Sequence, residues 1–277
     1  MTVFFSDLDD PILNGDISLK NQLEFNKGLN NSYTSLASSQ IDWHNNVVNS
    51  KNGLAFDNGA NFRLVSISID NKNVQDTDNI RFYPQIYSVI SYPLIKNSTN
   101  LNQTISPMIM PVLAPYNNYT EAQSISSSNL FSHNRATSIQ EWESGPRINY
   151  GIDWFIDNNK NANIKLTLGQ SYRINKNSSD STEEISDYFL SSNASFKNNY
   201  INNAIVFDRK DVDVKSITMN TYSQIYDLQL KVDYDYTSGK YGTTNEQVAI
   251  GGEYNFKNNF FMKFTGTKDI DTNKNIG

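Results

Sequence analysis

The feature that most constrains the fold of this chain is an alternation of apolar and polar side chains that recurs along most of its length. In the clearest run, residues 226–236, Tyr, Leu and Val occupy the even positions, and Asp, Gln and Lys occupy the odd positions. Successive side chains of a β-strand point to opposite faces, so this run has one apolar wall and one charged wall. The pattern predicts an all-β fold of antiparallel strands, and no segment has a helical period.

The same alternation is found in further segments, and aromatic residues often stand at the ends of their apolar rows. These segments are 17–25, 81–92, 147–156, 164–173 and 247–256, and the aromatic residues include Phe25, Phe82, Tyr92, Tyr254 and Phe256. Amphipathic rings collect at the headgroup level of a membrane, and outer-membrane barrels carry girdles of them. The rows therefore predict a transmembrane β-barrel whose apolar wall faces lipid.

Composition excludes several other classes of protein. Only 38% of the residues are hydrophobic, which is too few for a helical membrane protein, whereas a barrel needs only alternate strand residues to face lipid. The net charge of −6 argues against nucleic acid as a partner. With no Cys and with His44 and His133 far apart in sequence, we expect no metal site, no cofactor and no catalytic centre.

The connections between the alternating segments are long and short in turn from about residue 70 onward. Longer polar connections are expected near 70–79, 116–146, 174–186, 208–213 and 237–246, and shorter ones near 94–103, 157–162, 196–200, 225 and 257–259. Outer-membrane barrels have long extracellular loops and short periplasmic turns, so this order supports the barrel prediction. The dipeptides Asn14-Gly15, Asn52-Gly53 and Asn58-Gly59 are typical of hairpin turns.

The chain is expected to be one partial barrel domain that spans residues 1–277. At about 20 residues for each strand with its connection, it supplies roughly a dozen strands of a larger barrel. Its first residues lack the basic and apolar regions of a signal peptide, and its last residues do not form a strand that ends on an aromatic side chain. We therefore expect an internal fragment from which the final strands are absent.

Four motifs add a signal that alternation alone does not give. They are Arg81–Gln85 followed by Ser91–Leu94; Ile105–Pro107 leading to Ala114-Pro115; Asn129–Arg135 continuing through Glu143, Gly145 and Arg147 to Tyr150-Gly151; and Leu168–Arg173. In order and spacing they resemble the C-terminal β-barrel of the lipopolysaccharide-assembly outer-membrane protein (LptD) family. The resemblance covers about residues 79–175.

This resemblance implies a function in lipopolysaccharide transport and assembly, not an enzymatic one. Members of the family receive lipopolysaccharide from periplasmic bridge proteins through an N-terminal periplasmic domain, for which this chain shows no segment. They deliver it through the barrel to the outer leaflet of the outer membrane of Gram-negative cells. A plug lipoprotein of the LptE type fills the barrel. The implied partners are therefore lipopolysaccharide, that lipoprotein, the bridge proteins and the lipid bilayer.

Three groups of residues are candidates for function. Polar residues predicted to line the lumen are Arg81, Gln85, Arg147, Lys165, Arg173 and Lys231; the family loop motif comprises Asn129, Leu130, Phe131, Arg135 and Glu143; and the strand prolines are Pro84, Pro107 and Pro111. The lumen cations either contact lipid phosphates or simply belong to a polar surface on which positive and negative charges are interspersed. The loop charges either form a buried ion-pair network or stay in water. The prolines either weaken a seam that opens for lipid or mark bulges and turns.

Two other classes of function fit part of the sequence. A general outer-membrane porin or channel explains the alternation equally well, but not the proline-bearing strands or the Asn129-Leu130-Phe131 segment. A soluble or surface-attached β-sandwich adhesin would bury the apolar rows in a core between two sheets. An outer-membrane lipase has no support from a nucleophile motif.

Overall fold

The computed structural model describes residues 2–10, 14–27, 33–48, 51–70, 77–116, 125–126, 128–136, 142–158, 161–174, 184–256, 260–272 and 274–275. The strands are β1 Thr2–Asp10, β2 Gly15–Lys27, β3 Tyr33–Val48, β4 Ala55–Asp70, β5 Thr77–Ser91, β6 Leu94–Asn97, β7 Asn102–Leu113, β8 Arg147–Asp157, β9 Ala162–Arg173, β10 Tyr188–Phe196, β11 Asn199–Phe207, β12 Val214–Ile225, β13 Leu228–Thr237, β14 Asn245–Phe256, β15 Phe260–Asp269 and β16 Lys274–Asn275. No helix in this part of the chain is long and apolar enough to cross a membrane.

The strands form one continuous antiparallel sheet in which almost every strand pairs with its neighbour in sequence. The exception is β5, which pairs with β7, while the short β6 also pairs with β7. The prediction of an all-β antiparallel fold is confirmed, and the described residues contain sixteen strands, somewhat more than a dozen. Within those residues, no ladder joins β1 to β15 or β16, so the sheet is not closed.

The two faces of the sheet differ in polarity in the way the alternation predicts. In β4, Asn61 and Arg63 are buried, with Asn61 only 1% exposed, whereas the intervening Phe62 is 43% exposed and Leu64 is 48% exposed. Apolar side chains thus form the exposed row of this strand, whereas the buried row contains polar residues and then Val65 and Ile67, which belong to a small apolar cluster with Tyr83 and Trp142. In a soluble protein, large apolar side chains are mostly buried instead. Such an arrangement is stable where lipid covers the apolar face and the polar face encloses the interior of a barrel.

The sandwich alternative does not fit this arrangement. A sandwich requires a second sheet packed on the apolar rows, and the described strands all belong to one sheet. Large apolar side chains remain exposed along its length, from Phe25 in β2 to Phe264 in β15.

Strand boundaries follow the predicted long and short connections, with three differences. The connection predicted near 94–103 is wrong in part, because it contains β6 and the start of β7. The clearest alternating run begins at Leu228, because Tyr226 and Asp227 form the two-residue turn before β13 and Tyr226 has a positive φ of 54°. The dipeptide Asn58-Gly59 is not a turn but lies within β4. Gly59 is required there because a Cβ atom would overlap the Tyr87 ring of β5.

Candidate functional site

The ladder between β5 and β7 is interrupted, unlike the ladders on either side of it. Two pairs of residues, Ile86 with Leu113 and Tyr87 with Val112, face each other across it. After a gap of two positions, the pairing continues with Ile90 opposite Ile109 and Ser91 opposite Met108. By contrast, β4 and β5 pair without a gap from Ile69 to Ala55. The short β6 resumes the same register at Leu94 with Ile105, so β5 and β6 act as one broken strand against β7. This boundary is called the seam below.

Prolines account for both interruptions of the seam. Pro111 stands opposite Ser88 in the gap, and it has no N–H group to donate across the ladder. Pro93 lies between β5 and β6, where regular strand structure is interrupted. The Tyr92 N–H still donates to the Pro107 carbonyl at 3.0 Å. Pro84 lies on β5 beyond the last recorded pair with β7.

A segment of the connection between β7 and β8 covers the seam from the polar face of the sheet. Its described parts are residues 128–136 and 142–146, which together are called the inner loop. The Ser132 N–H donates to the Asn129 carbonyl at 2.9 Å, which closes a tight turn. The turn presents Leu130, which is completely buried over Gly169 of β9.

Aromatic rings attach the inner loop to the β4–β5 side of the seam. The His133 ring stacks on the Tyr87 ring with centroids 4.8 Å apart and an interplanar angle of 6°. Trp142 stacks on Tyr83 with centroids 6.1 Å apart, and the Arg63 guanidinium lies 5.3 Å from the Trp142 ring centre. These contacts bury the ring of Trp142 against β4 and β5.

Charged groups attach the same loop to the β8–β9 side. Glu143 accepts hydrogen bonds from Arg135 Nε at 2.7 Å and from Arg173 Nη2 at 2.7 Å, and Arg147 Nη2 lies 3.2 Å from it. Arg147 also donates to the His133 carbonyl. Glu143 is 0% exposed, so this cluster, called the Glu143 cluster below, is buried.

The Glu143 carboxylate stays ionised despite its burial. Burial by itself would raise the pKa of Glu143, but Arg147, Arg135 and Arg173 together lower it below its ordinary value. One carboxylate thus serves three guanidinium groups, and Arg135 Nη1 and Arg147 Nη1 have no protein partner. The inner loop therefore joins the two sides of the seam, by rings on one side and by ion pairs on the other.

The lumen residues predicted from the sequence occupy different parts of the sheet. Strand pairing puts the predicted lumen residues on the polar face, where Gln85, Arg147 and Arg173 are buried under the inner loop. Lys165 and Lys231 are exposed and each lies within 2.9 Å of a carboxylate, Asp153 and Asp233 respectively. These two cations are therefore not gathered with the Glu143 cluster.

Beside the inner loop, whose Ser128 contributes to the lining, the polar face carries a recess of about 310 Å³. Its lining is almost entirely hydroxyl and amide groups with one cation: Ser126, Ser128, Lys165, Thr167, Ser191, Asn193, Asn202, Asn203, Ala204, Thr218 and Asn220. Such a surface offers many hydrogen-bonding groups, which suits a hydroxyl-rich ligand. Among the described residues, no group of His, Asp and Glu could hold a metal ion.

Several residues at this site gave no signal in the sequence. Tyr87 and Trp142 carry the ring contacts of the inner loop, yet each looks ordinary in its own segment. Gly169 lies in the motif Leu168–Arg173, but the motif did not indicate that it admits Leu130. The Gly151–Gly169 pairing across β8 and β9 was the only available hint, because two facing glycines indicate a close approach by another part of the chain.

A methyl group at Gly169 is expected to destabilise the protein. The added Cβ would overlap Leu130 and lie 2.6 Å from the Tyr150 carbonyl oxygen, so Gly169→Ala should cost about 1–3 kcal/mol in the free energy of unfolding. Gly251→Ala is the matched control, since its Cβ would meet Thr265 at an ordinary 3.7 Å. Urea titration of both variants in detergent measures the difference, and equal midpoints would show that Leu130 does not pack on Gly169.

His133 is expected to make stability depend on pH. Burial lowers the pKa of His133. The charge of Asp42 partly offsets this effect, and the charge of Arg147 lowers the pKa further. As the pH is lowered below the unfolded-state pKa of about 6.5, the unfolded chain therefore binds more protons than the folded one. The free energy of unfolding decreases as the pH is lowered further, until the folded-state pKa is reached. Urea midpoints of the wild type and His133→Gln between pH 5 and pH 8 test this: the wild type should show the steeper loss in acid, and parallel profiles would contradict it.

Comparison with known families supports a family assignment. The model of the family described as LptD, LPS transport system D, matches residues 13–260, which include the seam and the inner loop. No curated protein matches the chain.

Proposed function

Because the chain belongs to the LptD family, LPS transport system D, we propose that it forms part of a barrel wall that moves lipopolysaccharide to the outer leaflet of the outer membrane. The observation that carries this proposal is the family match over most of the chain, on a sheet with one lipid-facing side. The family is one of transport and assembly at the outer membrane, so no chemistry on the substrate is expected.

The polar face supports passage of the sugar and phosphate part of the lipid. The recess around Lys165 offers hydroxyl and amide partners, and Lys165 and Lys231 supply exposed cations for phosphate. Both cations have carboxylate neighbours, so the face is of mixed sign and would bind a passing phosphate only weakly. Weak binding suits a wall along which cargo must keep moving.

The seam is the proposed place where the strands of the barrel wall separate to admit acyl chains. Prolines remove ladder hydrogen bonds there, whereas the β4–β5 and β7–β8 ladders beside it are continuous. The alternative is that Pro84, Pro107 and Pro111 merely shape bulges and strand ends. The inner loop favours the first reading, because it bridges the seam by contacts that are independent of the ladder.

The partners follow from the same proposal. We expect residues 1–277 to act as a single barrel segment within a longer protein that includes a periplasmic domain and further strands. That protein would receive lipopolysaccharide from periplasmic bridge proteins and would hold a plug lipoprotein of the LptE type in its lumen. Its apolar face would contact the bilayer of a Gram-negative outer membrane.

Reconstitution of the full-length protein with its lipoprotein tests the proposed function. Liposomes that contain the complex should accept lipopolysaccharide from the bridge proteins into the membrane. They should not take up small sugars at the rate of a porin control. Sugar uptake at porin rates without lipopolysaccharide delivery would replace this proposal with the general channel alternative.

A further inference from the structure

The apolar face carries a groove of about 500 Å³ directly outside the seam. It is lined from both sides of the seam, by Leu54, Ile90, Ser91, Tyr92, Pro107, Met108, Ile109, Tyr150, Gly151, Ile152, Leu168, Gly169, Gln170 and Tyr188. The inner loop covers the opposite face, with Leu130 over Gly169. At this place the polar face of the sheet is therefore covered by the inner loop, whereas the apolar face forms an open groove.

The shape of the groove follows from the interruption of the ladder. β5 ends at Ser91 and β6 begins at Leu94, so Tyr92 and Pro93 lie outside regular strand structure at the place where the groove passes beside β7. The large side chains that line this place, Ile109, Ile152 and Leu168, all belong to the apolar face and are exposed.

The chemistry of the lining restricts what can occupy the groove. No charged side chain lines it, and its polar margin is Gln170, which accepts from the Tyr150 hydroxyl and donates to the Ser186 carbonyl at 2.8 Å. A multiply charged phosphate group would find no counter-charge there. A saturated hydrocarbon chain needs none.

We infer that this groove is a binding site for one acyl chain of a glycerophospholipid from the surrounding bilayer. The groove is continuous with the lipid-facing wall, so a bilayer lipid reaches it without crossing the sheet. A protein partner is disfavoured, because a stable protein interface uses about 20–30 residues a side and the groove has fourteen lining residues. The uncharged lining suits the hydrocarbon chain of such a lipid and offers no counter-charge to a phosphorylated sugar. The inference goes beyond the proposed function and holds whether or not the seam opens.

Photolabelling in a defined bilayer tests the site. The full-length protein is placed in nanodiscs of phosphatidylethanolamine and phosphatidylglycerol, with a trace of phosphatidylethanolamine that carries a terminal diazirine on one chain. After irradiation, labelling of Ile109 and Ile152 should exceed that of Val248 and Ile250 on β14 by more than about tenfold, a ratio that two additionally buried methylene groups supply. Val248 and Ile250 are the controls because they stand on the same apolar face, paired with Tyr234 and Val232 of β13.

A pair of matched variants distinguishes a groove from ordinary lipid contact. Leu168→Trp fills the groove and should reduce labelling of Ile109 and Ile152 to the level of β14. Ile250→Trp adds the same ring at an equally exposed site outside the groove and should leave that labelling unchanged. Uniform labelling of the wall, or loss of labelling in both variants, would overturn the inference. Stronger labelling of the groove by lipopolysaccharide with the same diazirine than by the phospholipid would also overturn it.

Discussion

Glu143→Gln is expected to destabilise the protein by about 3–5 kcal/mol, because it removes the one carboxylate that serves three buried arginines. A neutral amide retains the shape of the side chain but removes the negative charge that Arg135, Arg147 and Arg173 share in a buried site. The effect should appear as a lower urea midpoint in detergent. It should be strongest at the inner loop, where hydrogen exchange of residues 142–146 should accelerate.

The matched control is Asp213→Asn, which makes the same chemical change in an exposed ion pair. Asp213 lies 2.7 Å from Lys240, both are more than half exposed, and Lys240 keeps Asp211 as a second partner. Its loss should therefore stay within the range of about 0–1 kcal/mol for surface pairs. Equal midpoints for the two variants would mean that the Glu143 cluster does not hold the inner loop.

A disulfide across the seam is expected to cause near-complete loss of lipopolysaccharide delivery if the wall opens there. Ile90 and Ile109 are direct partners across the seam, and opposed residues of antiparallel strands lie about 4.5–5.5 Å apart, within reach of a disulfide. The chain has no Cys of its own, so Ile90→Cys with Ile109→Cys introduces a single defined bridge. Delivery by the reconstituted full-length complex should fail after oxidation and return after reduction.

An equivalent bridge elsewhere in the sheet provides the control. Val232 and Ile250 are direct partners in the uninterrupted ladder between β13 and β14, so Val232→Cys with Ile250→Cys should leave delivery intact. If both bridges leave delivery intact, the seam does not open and its prolines only shape strand ends. If both abolish delivery, general rigidity of the barrel is required rather than opening at this seam.

Much of the fold could be predicted because side-chain alternation is a local signal. The phase of β13, with Val232 and Tyr234 on the apolar face and Asp233 on the polar face, follows from the order of residues alone. Its exact start did not, because Tyr226 continues the apolar period although it lies in the turn. A period of two does not distinguish the last strand residue from the first turn residue.

The site could be predicted only in its parts. The sequence left open whether the loop charges pair and whether the prolines weaken a strand, and it could not show that Pro107 and Pro111 lie on one boundary with Pro93. That fact depends on the register of β5 and β6 against β7, which is set by non-local pairing. The Tyr87–His133 stack likewise joins residues 46 positions apart, which no periodicity relates.

The central claim is that one face of this sheet meets lipid and the other encloses water. It is tested most directly by a nitroxide scan of residues 228–236 in the full-length protein in bilayers, with oxygen as the apolar probe and a nickel chelate as the aqueous probe. The account predicts that the even positions respond to oxygen and the odd positions to nickel, in strict alternation along β13. Even positions that are closed to both probes, in a protein that stays soluble without detergent, would contradict the barrel and favour a packed β-sandwich.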